Sequence, residues 1–490
     1  MTSGPLPTEP AGEPTGEGPT GRPAEAPRDR ALAALRACGV EPAVADGAAI
    51  PVTSPIDGEE VAALEGASAA DAIAAAARAA TAFTEWRTAA PESRAAAVTA
   101  IAAALDRYAP ELADLITIET GKPLTAARAE VGAAVDACAS AATTAQEVAA
   151  LPATASPAPP AAAFRVPMQT GRFAVRRPLG PVAVLGSAEL PLLDWATAAP
   201  PALACGDPVV WLPGAPLVAT AVAALVASAL AATGWTSSTG SAGLHSLVLG
   251  EADAAEALAG EDAIALTVRP PAPAANVAIA APGADLDLVA REALAVTVAG
   301  AGRSSAALRL LLVHESLVAD LERRLGDAIA ALQIGDPLDS ATALGPLPDL
   351  DAYRDHLDAV QSAEAEGGEL LAGGEDRDLA AFSDAYFAEP ALVRLPAAPD
   401  PATLAAVRAP VLFLASYADL EEALAHRDAM PRSWSALLGG DAAERSRFLA
   451  ALGSDRGFVA LGTCPTEAEV AAATAPDWRV FTQPVAGRVD

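Results

Sequence analysis

Residues 178–186 read PLGPVAVLG, residues 194–206 DWATAAPPALACG, residues 207–213 DPVVWLP, residues 217–234 LVATAVAALVASALAATG and residues 245–250 HSLVLG. PLGPVAVLG is a short apolar run punctuated by Pro and Gly, the pattern of a strand buried on both faces. The second segment is helical and stops at Gly206, and DPVVWLP is another buried strand. The fourth is a helix ended by Gly234, and HSLVLG is a third strand. Strand, helix, strand, helix, strand predicts a parallel, doubly wound α/β sheet, because parallel neighbours need a crossover to join them.

C-terminal to this block the alternation resumes. NVAIAAPGADLDLVAREALAVTVAGAG (276–302), LRLLLVHESLVADLERRLGDAIAAL (308–332), PVLFLASYADLEEALAHRDAM (410–430) and GFVALGT (457–463) predict a second α/β unit. N-terminal to it, Ser68 followed by Asp71 opens a helix running to about Trp86. Pro91 opens a second helix to about Ala103, a third ends near Gly121, and 124–150 reads as a long Ala-rich helix. Residues 151–163 form a Pro/Ala linker or arm, and residues 1–30, rich in Pro, Gly, Thr and Glu, are expected to be a disordered tail.

The chain has 490 residues, 52% of them hydrophobic, enough for a large core. Asp+Glu 62 against Lys+Arg 31 gives a net charge of −31. No basic footprint for a phosphate backbone is visible, and an anionic membrane surface would repel the chain, so neither nucleic acid nor membrane is an expected partner. Four separated cysteines without a C-x-x-C pair give no zinc cage, redox motif or disulfide framework, so no metal is expected. The N-terminus lacks the order of a signal peptide and no long apolar span is present, so a cytoplasmic location is expected. Lys122 is the sole lysine.

The phrases RRPLGPVAVLG, LPLLDW, ALACGDPVVWLPG, PGADLDLV, LRLLLVHESLV, IGDPLDSATALGPL, EGGELLAGG, YFAEP and APVLFLASYADLEEALA follow one another in a familiar order, with IETGK at 118–122 before them. Together they resemble the aldehyde dehydrogenase superfamily over about 50–470. CGDPVVW, VHES and RFLAALGSDRG look most like its antiquitin branch, the aminoadipate-semialdehyde (piperideine-6-carboxylate) dehydrogenases. The resemblance implies a Rossmann-type domain from 31–150 and 177–270. It also implies a catalytic-type α/β domain over 271–464 and bridging, oligomerising segments at 151–176 and 465–490.

It also implies where the chemistry should sit. Aldehyde oxidation by this route needs a thiolate nucleophile, an oxyanion donor, a nicotinamide and a base for thioester hydrolysis. The family's nucleophilic cysteine falls on Ser305, and an alcohol is essentially un-ionised without a neighbouring base. The family's amide donor falls on Glu189, whose carboxylate offers no N–H to an oxyanion. The lysine that binds the adenosine ribose falls on Leu212, and the acid after it on Ala215. The glycine that admits the pyrophosphate falls on Val268, followed by Arg269 and Pro270, and the glutamate that holds the nicotinamide ribose falls on Ala406. The family's next helix and its catalytic glutamate have no counterpart, since residues 270–274, PPAPA, run straight into NVA.

The expected function is therefore that of a family member which has lost dehydrogenase activity. It would need no cofactor and would act as a homo-oligomer or as a hetero-oligomer with an active relative. Two alternatives stay open. One is a working NAD(P)-dependent oxidation of an aldehyde or semialdehyde. The other is a small-molecule binding module in which Glu189 or Arg303 contacts a charged ligand.

Overall fold

The computed structural model describes residues 26–41, 49–150, 164–165 and 172–488, apart from 236–237, 272–273, 378, 380, 383, 431–433 and 453–457. The expected tail at 1–30 is corrected at its C-terminal end. Pro27–Ala37 is a helix, with Pro at its first turn and Ala31, Ala34 and Leu35 buried. The Arg30 guanidinium, 2.6 Å from the Asp114 carboxylate, ties it to the helix Ala109–Thr120. Residues 1–25 and 151–163 lie outside the described residues.

Four parallel strands form one sheet in the order His245–Leu247, Val209–Leu212, Val182–Leu185, Leu266–Val268. The chain builds outward from Val182–Leu185 in one direction and then crosses to its other side. Strand order therefore reverses between Val182–Leu185 and Leu266–Val268, which opens a crevice beyond their carboxyl ends. The strands Val182–Leu185 and Val209–Leu212 are buried throughout, as uniformly apolar runs require.

A seven-stranded sheet follows, in the order Glu369–Ala372, Ala391–Arg394, Val411–Tyr417, Leu308–His314, Asn276–Ala280, Ser435–Leu438, Val459–Leu461. The pair at its first edge is antiparallel and the other pairs are parallel. A third sheet joins Thr482–Arg488, Arg172–Pro178 and Phe164–Arg165. The helices Ala69–Trp86, Pro91–Arg107, Ala109–Thr120 and Leu124–Ala150 match the N-terminal expectations, with Ser68 and Asp71 forming the capping box.

Cys38, Cys138, Cys205 and Cys464 are buried free thiols, and burial raises all four above their ordinary value. Among the described residues no cluster of His, Cys, Asp and Glu could hold a metal, and no helix is long and apolar enough to cross a membrane.

Candidate functional site

The crevice at the strand-order reversal contains a cavity of about 140 Å³. Ser305 lines it with Val268, Arg269 and Pro270 from the end of one strand and Asp194 and Thr197 from the segment after the other. Thr474, Ala475 and Pro476 close it from the C-terminal side. The helix Glu467–Thr474, within the segment expected to bridge subunits, ends at this cavity.

Ser305 is placed by a residue that the sequence pattern did not single out. Asn276, buried at the start of its strand, donates Nδ2 to the carbonyls of Ser305 (2.8 Å) and Ala307 (2.9 Å). Its Oδ1 accepts the Trp434 backbone N–H at 3.0 Å. A polar residue opening an otherwise apolar strand was the available signal. No described side chain hydrogen-bonds the Ser305 hydroxyl. Asp194 shares the cavity, but its carboxylate accepts from the Ser187 hydroxyl (2.6 Å) and backbone N–H (3.1 Å). Burial pushes the Asp194 carboxyl up to about 6.

A second, smaller cavity of about 60 Å³ lies alongside, lined by Lys122, Glu189, Gly300 and Arg303 among others. The Glu189 carboxylate does not face an empty oxyanion site. Its Oε1 accepts from the Arg408 guanidinium and lies 3.4 Å from that of Arg303. Its backbone is fixed separately, where Lys122 Nζ donates to the Glu189 carbonyl at 2.7 Å. Lys122 also pairs with Glu130 at 2.6 Å and lies 3.8 Å from Glu467. Burial alone would lower Lys122, but Glu130 and Glu467 outweigh it and hold the ammonium above its ordinary value.

Two further carboxylates occupy helix N-termini near the crevice, where exposed N–H groups attract anions. Glu130 Oε1 accepts from Leu192 N (2.9 Å) and Leu193 N (3.2 Å), at the start of Leu193–Ala196. Glu119 accepts from Leu217 N (2.8 Å) and Val218 N (2.9 Å), at the start of Pro216–Ala232. Among the described residues no cation pairs with Glu119, and burial pushes its carboxyl up to about 7.

The remaining sequence-derived positions scatter. Leu212 is the buried last residue of its strand, and Ala215 is the buried N-cap of Pro216–Ala232. Glycine is required at 214: a Cβ there would lie 2.4 Å from the Ser187 carbonyl carbon, so the loops after the two strands touch. Val268 shares the Ser305 cavity. Ala406 is an exposed helix end that lines neither cavity; its neighbour Arg408 turns to Glu189.

The fold and the crevice define a doubly wound α/β protein with a cleft where its strand order reverses. The aldehyde dehydrogenase family pattern matches residues 43–268 and 272–469, most of the chain, and the protein belongs to that family. It is 27% identical over 319 residues to aldehyde dehydrogenase family 7 member A1 of Brassica napus, covering 60% of this chain and 63% of that one. It is 30% identical over 199 residues to alpha-aminoadipic semialdehyde dehydrogenase of Bos taurus, covering 40% of this chain and 36% of that one. These matches span less than two thirds of either relative. Among solved structures, betaine aldehyde dehydrogenase of Staphylococcus aureus in complex with NAD+ superposes with a TM-score of 0.80 at 19% identity. That superposition covers 93% of this chain and 97% of the other. A 3,6-anhydro-L-galactose dehydrogenase in complex with NAP gives 0.79 at 20% identity, covering 92% and 98%. At these identities the structural likeness concerns the fold.

Proposed function

We propose that this chain is a member of the aldehyde dehydrogenase family that does not carry out the dehydrogenase reaction. One observation carries the reading. After the strand Leu266–Val268 the chain passes through Arg269, Pro270 and Pro271, and the next strand begins at Asn276 with no helix between them among the described residues. A dinucleotide needs a glycine turn and a helix N-terminus at such a switch point to receive its pyrophosphate. After the strands Val182–Leu185 and Val209–Leu212 the leading N–H groups already bond Glu130 and Glu119. The residues present do not fit NAD or NADP, so no step through a nicotinamide is derived.

The remaining site agrees. Ser305 has no described base at its hydroxyl, and Glu189 presents an ion-paired carboxylate where an N–H donor is required. Losing one such donor alone lowers turnover by about 10²–10³. The test is a thermal-shift titration with NAD+ and NADP+, plus absorbance at 340 nm with a panel of aldehydes and semialdehydes. No stabilisation and no absorbance rise are expected. A melting temperature that climbs with cofactor, by about 2.7 kcal/mol of stability at 100 times Kd, would overturn the reading.

A scaffold role in a homo- or hetero-oligomer follows from the same reading. Its support is the separate three-stranded sheet, whose edge among the described residues is the two-residue strand Phe164–Arg165. An open sheet edge is a natural place for another chain to pair. Native mass spectrometry of the purified chain, alone and with an active relative, should show the oligomer; a strict monomer in both cases counts against it.

A further inference from the structure

Arg303 and Arg408 come from loops held in contact by two features. Gly302 has φ +73, and a Cβ there would approach main-chain atoms of Ala409 and Pro410 at 2.2–2.3 Å, so the loops can meet only at a glycine. Arg309, buried in the strand Leu308–His314, reaches across the junction. It donates to the Ala409 carbonyl at 3.1 Å and also to the Gly302 carbonyl. The residues carrying Arg303 and Arg408 are thus set side by side before any ligand arrives, and little ordering would remain to be done on binding.

Two guanidiniums, those of Arg303 and Arg408, meet the single carboxylate of Glu189. Arg309 Nε is buried and has no hydrogen-bond partner among the described residues. Burial, reinforced by Arg408, pushes Arg309 down to about 9. Glu189 engages Arg303 and Arg408 through one oxygen, which leaves donors on both guanidinium forks. Their side chains are 23% and 34% exposed, so a solute can reach them.

We propose that Arg303 and Arg408 form a binding site for a small carboxylate-bearing molecule, with Glu189 as the internal anion that competes for the same donors. Two arginine forks suit a planar carboxylate, and a solute carboxylate would supply the charge that Glu189 alone does not. This deepens the binding-module reading of the cleft. It is independent of hydride transfer: detection of turnover would overturn the previous subsection and leave this site standing.

The test is calorimetric titration of the full chain with glutarate at low ionic strength, with neutral glutaramide as control. Glu189→Gln should bind glutarate about tenfold or more tighter than the parent chain, since one tethered competitor has been neutralised. Adding Arg303→Met or Arg408→Met to that variant should remove the gain, and glutaramide should give no heat. No glutarate binding by Glu189→Gln, or binding indifferent to both arginines, overturns the proposal. Inorganic phosphate binding tighter than glutarate overturns the ligand class. If Glu189→Gln does not fold, the parent chain decides: its melting temperature should rise with glutarate and not with glutaramide at equal ionic strength, and equal responses overturn the proposal.

Discussion

Glu189 is gripped from two sides, and the two grips differ in kind. On one side Lys122, 2% exposed, pairs with the equally buried Glu130 at 2.6 Å and holds the Glu189 carbonyl. On the other side Arg303 and Arg408 meet the Glu189 carboxylate at a partly exposed surface. Formal charges alone would rank the sides alike. Burial separates them. Removing one member of a buried pair strands a charge in a poor solvent, whereas water and salt take over much of the work of an exposed pair. The lysine side is therefore structural, and the arginine side is free to exchange its partner.

The sharpest way to break this comparison is Lys122→Met. It should cost about 3–5 kcal/mol in urea unfolding, because Glu130 is left charged and unpaired. Adding Glu130→Gln should recover part of that loss. A cost below about 1 kcal/mol would mean that the lysine side is no more structural than the other.

Next in size is Gly302→Ala, expected to cost about 2–4 kcal/mol from the positive φ and the contact with Ala409 and Pro410. Such a loss would locate the stability of the arginine side in its backbone contact rather than in its charges.

A pH profile sharpens the contrast between paired and unpaired carboxylates. Glu119, with no cation paired to it among the described residues, is lifted from 4.5 to about 7. The unfolded chain releases this proton first, so its contribution to stability falls as pH rises from 4.5 to 7, by about 3 kcal/mol in all. Glu119→Gln should remove this falling contribution, so that stability rises more steeply with pH in unfolding curves taken at intervals between pH 4.5 and 7. His245 and His356, lowered by burial to about 4, act in the opposite sense. Unfolding lets them take protons below 6.5, so they favour the folded state less as pH falls towards 4.

The smallest effect is expected for Glu189→Gln on stability. A change within about 1 kcal/mol by urea titration fits a partly exposed cluster, even though the same substitution should alter anion binding markedly.

Much of the scaffold was legible because it depends on local pattern. The runs PVAVL and DPVVW could hardly be anything but buried strands, and Pro91, Gly121 and Ser68 with Asp71 marked helix ends by their own backbone chemistry. The site was legible only in part. The sequence alignment with the family pattern pointed to Ser305 and Glu189, and Val268 does share a cavity with Ser305. It gave no sign that Asn276 holds the Ser305 carbonyl, that Glu130 and Glu119 occupy helix starts, or that Arg408 turns to Glu189.

By itself the amino-acid sequence determined the α/β alternation, the chemical types available at the strand ends and the existence of a single lysine. Only the tertiary structure decided which charges meet. Lys122 and Glu189 are 67 residues apart, and Glu189 and Arg408 are 219 apart. Hydrophobic periodicity constrains neighbours within one element, but pairing across such separations depends on how packed sheets and loops bring the chain together, and that geometry assigns each carboxylate its partner.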